Sequence, residues 1–90
     1  MRHKTVNPTN VRTALRRSWD TQRYEDVNDE WSASIEFRQN VGVRAHLWSA
    51  ETGEEFHTPW YILWDSMTDL MRTATSRLLS KYHTVHKEVA

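Results

Sequence analysis

Apolar positions in this chain change period twice, from a helical spacing to strict alternation and back. Val11, Leu15 and Trp19 recur at spacing four, while Arg12, Arg16 and Arg23 fall on another face, the pattern of about 100° per residue that a helix imposes. Just before them, Asn7-Pro8 offers a side-chain oxygen for free backbone amides and a proline whose missing N–H costs nothing in a first turn. A basic amphipathic helix is therefore predicted from Asn7 to about Arg23. Residues 24–30, Tyr-Glu-Asp-Val-Asn-Asp-Glu, show no period and hold four acids in seven positions, which reads as a solvated loop. From Trp31 the pattern alternates, with Trp31, Ala33, Ile35 and Phe37 on one side and Ser32, Ser34, Glu36 and Arg38 on the other. That is a half-buried strand. Asn40-Val41-Gly42 turns the chain into a second strand, with Val43, Ala45 and Leu47 inward and Arg44, His46 and Trp48 outward. After the turn Glu51-Thr52-Gly53, residues 54–57 suit a short third strand with Phe56 inward.

Thr58-Pro59 has the form of an N-cap followed by a first-turn proline, and predicts the start of a long helix. Trp60, Leu63, Trp64, Met67, Leu70, Met71, Ala74, Leu78, Tyr82 and Val85 give it one apolar stripe. Asp65 and Asp69 lie towards its start and Arg72, Arg77 and Lys81 towards its end, which complements the helix dipole. Tyr61, Ile62 and Leu79 project away from the stripe. The predicted fold is α+β: helix, three-stranded antiparallel meander and long C-terminal helix, with both helices on the apolar face of the sheet. Residues 1–6 read as a flexible basic arm and residues 7–90 as a single domain.

Val, Ile, Leu and Phe number only 17 of 90 residues, and five Trp, three Tyr and three Met supply the apolar area a folded core still needs. Cysteine is absent, which excludes a disulfide framework, a thiolate nucleophile and a sulfur-ligated metal. The longest wholly apolar run, Trp60–Trp64, is too short to span a bilayer, and Met1-Arg2-His3-Lys4 leads into polar residues. A soluble cytoplasmic protein with no membrane partner is expected. The formal charge of zero hides a strong asymmetry: residues 1–23 carry six basic side chains and one acid, 24–69 carry two against ten, and 70–90 four against one. Such a field steers association with charged macromolecules.

Three features point to a partner. Trp48 is predicted on the polar sheet face beside Arg44 and His46 unless a bulge after Leu47 turns it into the core; an exposed Trp flanked by Arg has the composition of an interface hot spot and also suits base stacking. Glu25, Asp26, Asp29 and Glu30 either pair with the arginines of the first helix or present an acidic patch to a basic partner. Tyr61 and Ile62 call for a second burial partner: the sheet edge or first helix, another protein, or a second copy of this chain. The alternative is a nucleic-acid face built from Arg2, Lys4, Arg12, Arg16, Arg17 and Arg23, which a net charge of zero and a pI near 7.0 disfavour. His46 and His57 fall on the polar sheet face with Glu36 or Glu55, and His83 and His86 have i, i+3 helical spacing, but none of them forms a known metal signature. With no Gly-rich phosphate loop, nucleophile elbow or paired-carboxylate cleft, no catalytic residue, cofactor or metal is assigned and no enzymatic activity is expected.

The order helix, three strands, helix is similar to that of the double-stranded RNA-binding domain. That family's second-strand loop carries a Gly-Pro-x-His element and its last helix a lysine cluster, where this chain has Gln39-Asn40-Val41-Gly42 and Pro59-Trp60-Tyr61. Both phosphate-gripping parts are missing. Asp29-x-Trp31, Val43-Arg44, Thr52-Gly53, Thr58, Tyr61 and Met67 fall in an order that resembles the small early proteins by which some coliphages inhibit the host dGTPase, over residues 10–80. The resemblance implies a class of action, a compact protein that inactivates a host protein or protein complex by binding it, and transfers no residue role.

Overall fold

Asn7 opens the first helix as expected, its side-chain oxygen accepting from the amides of Thr9 and Asn10 at 2.8 and 3.3 Å. In the computed structural model, which describes residues 6–62 and 66–86, helix α1 spans Pro8–Thr21. It ends at Gln22, whose left-handed conformation (φ 57°) lets its amide bond the Ser18 carbonyl at 2.7 Å. Val11, Ala14, Leu15 and Ser18 are buried and Trp19 half-buried. Val6, which the sequence places in the basic arm, is buried in the same core; residues 1–5 lie outside the described ones.

The acidic stretch 24–30 is not all loop. Strand β1 (Glu25–Asp26) pairs antiparallel with β2 (Trp31–Arg38), Glu25 opposite Ala33 and Asp26 opposite Ser32. Asn28 makes the tight connection, its Oδ1 accepting from the amides of Glu30 and Trp31 at 2.8 and 2.7 Å, and Val27 is buried. A two-residue strand has no period to detect, which is why a three-stranded meander was predicted where there are four strands. Strands β3 (Gly42–Ser49) and β4 (Glu55–His57) follow, and the sheet order is β1-β2-β3-β4, antiparallel throughout. The β2–β3 register runs from Trp31 opposite Ser49 to Arg38 opposite Gly42. The alternation predicted for both strands is in register along their length.

The longest departure begins at Thr58. Thr58-Pro59 does not start a helix: Thr58 is buried, donates its amide to the Ala45 carbonyl at 3.0 Å and accepts the Ala45 amide on its hydroxyl at 2.9 Å. The chain runs on beside β3 to an antiparallel bridge in which Val43 and Tyr61 exchange both backbone bonds, at 2.8 and 2.6 Å. His46 faces His57 but Val43 faces Tyr61, so this edge holds one extra residue, a bulge that takes in Pro59. Helix α2 spans only Met67–Val85, capped by Ser66 Oγ, which accepts the Asp69 amide at 3.2 Å. A cap contributes about 1 kcal/mol. Continued strand pairing and the packing of Tyr61 against the core outweigh it. Trp60, Tyr61 and Ile62 are thus on a sheet edge rather than a helix, and Leu63 and Trp64 lie outside the described residues.

The core sits between one sheet face and the two helices. Trp31, Ala33, Ile35, Val43, Ala45 and Leu47 meet Val11, Ala14 and Leu15 of α1 and Leu70, Met71, Ala74, Leu78, Leu79 and Tyr82 of α2. Trp31 is its centre, with Phe56 stacked at 6.0 Å and Tyr82 edge-on at 5.4 Å. Leu79, predicted to project outward, is buried, while Val85 is exposed. Phe37, predicted inward, lies half-exposed at the strand end against Trp19. The end of α2 is tied to the β3–β4 turn by His86 Nε2, 2.6 Å from Glu54 Oε2, with the His86 ring stacked on Tyr82. Among the described residues, no helix is long and apolar enough to cross a membrane.

Candidate functional site on the open sheet face

The alternation that sends Val43, Ala45 and Leu47 to the helices sends Arg44, His46 and Trp48 the other way, onto a face that no described helix packs against. Trp48 lies opposite Ser32 and Glu55, half-buried and stacked on His46 at 4.5 Å. Its far side meets Tyr24 edge-on at 5.8 Å, and Tyr24 itself is 62% exposed. His46 stacks in turn on His57 at 4.0 Å with the rings 10° from parallel. Tyr24, Trp48, His46 and His57 therefore form one row across the sheet. At its side the Arg44 guanidinium sits 4.6 Å over the Trp60 ring and donates to Glu36 Oε2 at 3.2 Å.

Because Arg44 holds Oε2, Glu36 presents its other oxygen to the histidines. Oε1 is buried, 3.6 Å from His46 Nδ1 and 3.7 Å from His57 Nε2, with no hydrogen-bond partner. Glu55 Oε2 stands at the opposite edge of the His46 ring, 3.7 Å from Nε2. The His46 pKa is lowered from its ordinary value of 6.5, first because burial disfavours the imidazolium and second because His57 lies against it; Arg44 adds to this, while Glu36 and Glu55 oppose it.

The residues singled out in the sequence are distributed unevenly. Arg44, Trp48 and Asp26 share the open face, where Asp26 accepts from Ser32 Oγ at 3.3 Å. Glu25 instead accepts from Thr21 Oγ1 at the end of α1, and Asp29 and Glu30 belong to the β1–β2 turn, so the acids form no single patch. Tyr61 is half-buried against the core at the β3 edge, in line with the sheet-edge alternative of its reading, while Ile62 is 80% exposed beside Phe37 and Val41 at the far end of the sheet. Arg12, Arg16 and Arg17 line one groove with Thr13, Thr68 and Met71 between the helices. Arg23 follows the α1 cap, and Arg2 and Lys4 lie outside the described residues. His83 and His86 form no shared site: His86 meets Glu54, and His83 lies edge-on to Tyr82.

Charge is segregated by layer. The two helices carry six basic side chains against two acids, and residues 24–62 carry two against eight. Two members of the face, Tyr24 and Trp60, escaped the sequence reading, one because it precedes an unrecognised strand and the other because it was placed on a helix. A Tyr directly before the acidic pair 25–26, and Trp60 after a Pro that also suits an edge strand, were the available signals. In comparisons with known proteins, no family model, no curated protein and no solved structure matches this chain.

Proposed function

We propose that this chain is a non-enzymatic recognition module whose open sheet face docks a basic protein surface. The observation that carries the reading is the row Tyr24, Trp48, His46 and His57, an aromatic strip with Asp26, Glu36 and Glu55 about it. An aromatic centre inside a polar rim is the usual anatomy of an interface hot spot. Aromatic sheet faces also stack unpaired bases. Here the surrounding carboxylates oppose a phosphate backbone and favour lysine- or arginine-bearing protein. A second copy of the chain fits less well, since it would have to offer its basic helix layer, a head-to-tail contact that need not close. The finer reading follows the phage-protein resemblance: inhibition of a host protein or nucleoprotein complex in the cytoplasm by occlusion.

The gathering of Arg12, Arg16 and Arg17 on one groove favours a second reading, nucleic-acid binding through the helix layer. Retention of a bacterial lysate on the immobilised chain, run alongside variants, separates the two. On the first reading, Trp48→Ala and the double variant Asp26→Lys with Glu55→Lys lose a species that Arg12→Glu with Arg16→Glu keeps. Retention indifferent to the sheet variants, together with a steeply salt-dependent duplex shift abolished by the arginine changes, would establish the second reading instead.

A further inference from the structure

We propose that Glu36, His46 and His57 form a binding site for a divalent transition metal, zinc foremost, on the open sheet face. One ligand atom from each lies within 4.8 Å of the other two, and the three side chains come from β2, β3 and β4. The contacts of Glu36 Oε1 with both imidazoles, 3.6 and 3.7 Å, are too long for hydrogen bonds. They are close to a coordination edge: zinc bonds of about 2.0–2.1 Å to nitrogen and oxygen set neighbouring ligands roughly 3.3–3.4 Å apart. The buried Oε1 has no hydrogen-bond partner, and an ion at the centre of the three atoms would coordinate it instead.

The surroundings orient the ligands. Arg44 engages Oε2 and so aims Oε1 at the histidines. Glu55 Oε2 stands 3.7 Å from Nε2 of His46, on the side of the ring away from Glu36, where a carboxylate favours a proton on Nε2 and so a free lone pair on Nδ1. The two rings stack at 4.0 Å, 10° from parallel, with His46 Nδ1 and His57 Nε2 both on the side of Glu36 Oε1. Two imidazoles and one carboxylate suit zinc, and copper, nickel or cobalt, over magnesium or calcium, which take oxygen ligands. Three protein ligands on a half-exposed face leave a fourth position for water or a donor group from a partner. The site does not depend on the proposed protein docking, and either can hold without the other.

Isothermal titration calorimetry of the purified chain with zinc chloride tests this. One ion per chain is expected, with a dissociation constant in the micromolar range or tighter. Glu36→Gln and His57→Gln each weaken it at least about tenfold, Glu55→Gln by about tenfold, and His83→Gln not at all. Circular dichroism confirms that each variant is folded. If one is not, cobalt added to the wild-type chain replaces it as the probe, with paramagnetic shifts of the His46 and His57 ring protons and tetrahedral ligand-field bands expected. No saturable uptake, uptake undiminished in the Glu36 and His57 variants, or cobalt shifts centred on His83 or His86 would overturn the assignment.

Discussion

Ile35 and Ala45 face each other across β2 and β3, and each has its amide held by a buried hydroxyl at 2.9 Å, Ser18 Oγ for Ile35 and Thr58 Oγ1 for Ala45. Neither hydroxyl comes from a named strand. Ser18 closes the β1 side of the sheet from α1, where the two-residue β1 has already ended, and Thr58 closes the other side just past β4. A buried amide deprived of its acceptor loses its water without compensation. Ser18→Ala and Thr58→Val are each expected to lower unfolding free energy by about 1–3 kcal/mol. Thr84→Ala, which removes an exposed hydroxyl bonded to Ser80 O, serves as control and is expected to change it by less than about 0.5 kcal/mol. Urea denaturation of the three variants checks the contrast.

Gly42 has φ +137°, and a Cβ built there would lie 1.9 Å from the Tyr61 carbonyl oxygen, a backbone atom fixed by its own bond to Val43. Both the conformation and the contact exclude a side chain. Gly42→Ala is expected to cost about 2 kcal/mol or more. Gly53→Ala is cheaper, because its Cβ meets nothing within 4 Å and only the conformational strain at φ +76° remains. Thermal midpoints of the two variants should separate clearly.

Tyr61 and Ile62 are adjacent in sequence and opposite in burial. Tyr61→Ala is expected to destabilise by about 2 kcal/mol or more as packing against the core is lost. Ile62→Ser, at a residue 80% exposed, should stay within about 0.5 kcal/mol. Equal effects in denaturant titrations would contradict the edge-strand placement of this pair.

The lowered pKa of His46 gives stability a pH dependence of definite sign. The native state binds this proton less readily than the unfolded chain, whose value is near 6.5, so the contribution is complete above that pH. It is lost as pH falls through 6.5 towards the lower native value. Burial and the neighbouring His57 and Arg44 drive the effect, against Glu36 and Glu55. Urea midpoints in metal-free buffer should fall between about pH 7.5 and pH 5.5. His46→Gln is expected to flatten that slope; an unchanged slope would remove His46 as its source.

Local chemistry made several parts of this molecule legible from the chain. Asn7-Pro8 capped α1, strict alternation set β2 and β3 in their correct faces, and the same alternation put Arg44, His46, Trp48 and Glu36 together on the polar side. In each case neighbours within a few residues carry the signal, through a cap or a side-chain period. The chain also displayed the clustering of charge, although not its division between layers.

What local pattern could not reveal were outcomes of long-range competition. Thr58-Pro59 is a sound helix start until β3 offers its edge and Tyr61 a place against the core, and β1 exists only because Asn28 folds two acidic residues back onto β2. The meeting of Glu36, His46 and His57 is of the same kind, since its members are ten and eleven residues apart and only strand register sets their atoms within reach. Side-chain type and spacing dictate which face a residue occupies. Which faces meet depends on hydrogen-bond ladders and core contacts between distant segments, and those energies exceed the local preferences they override.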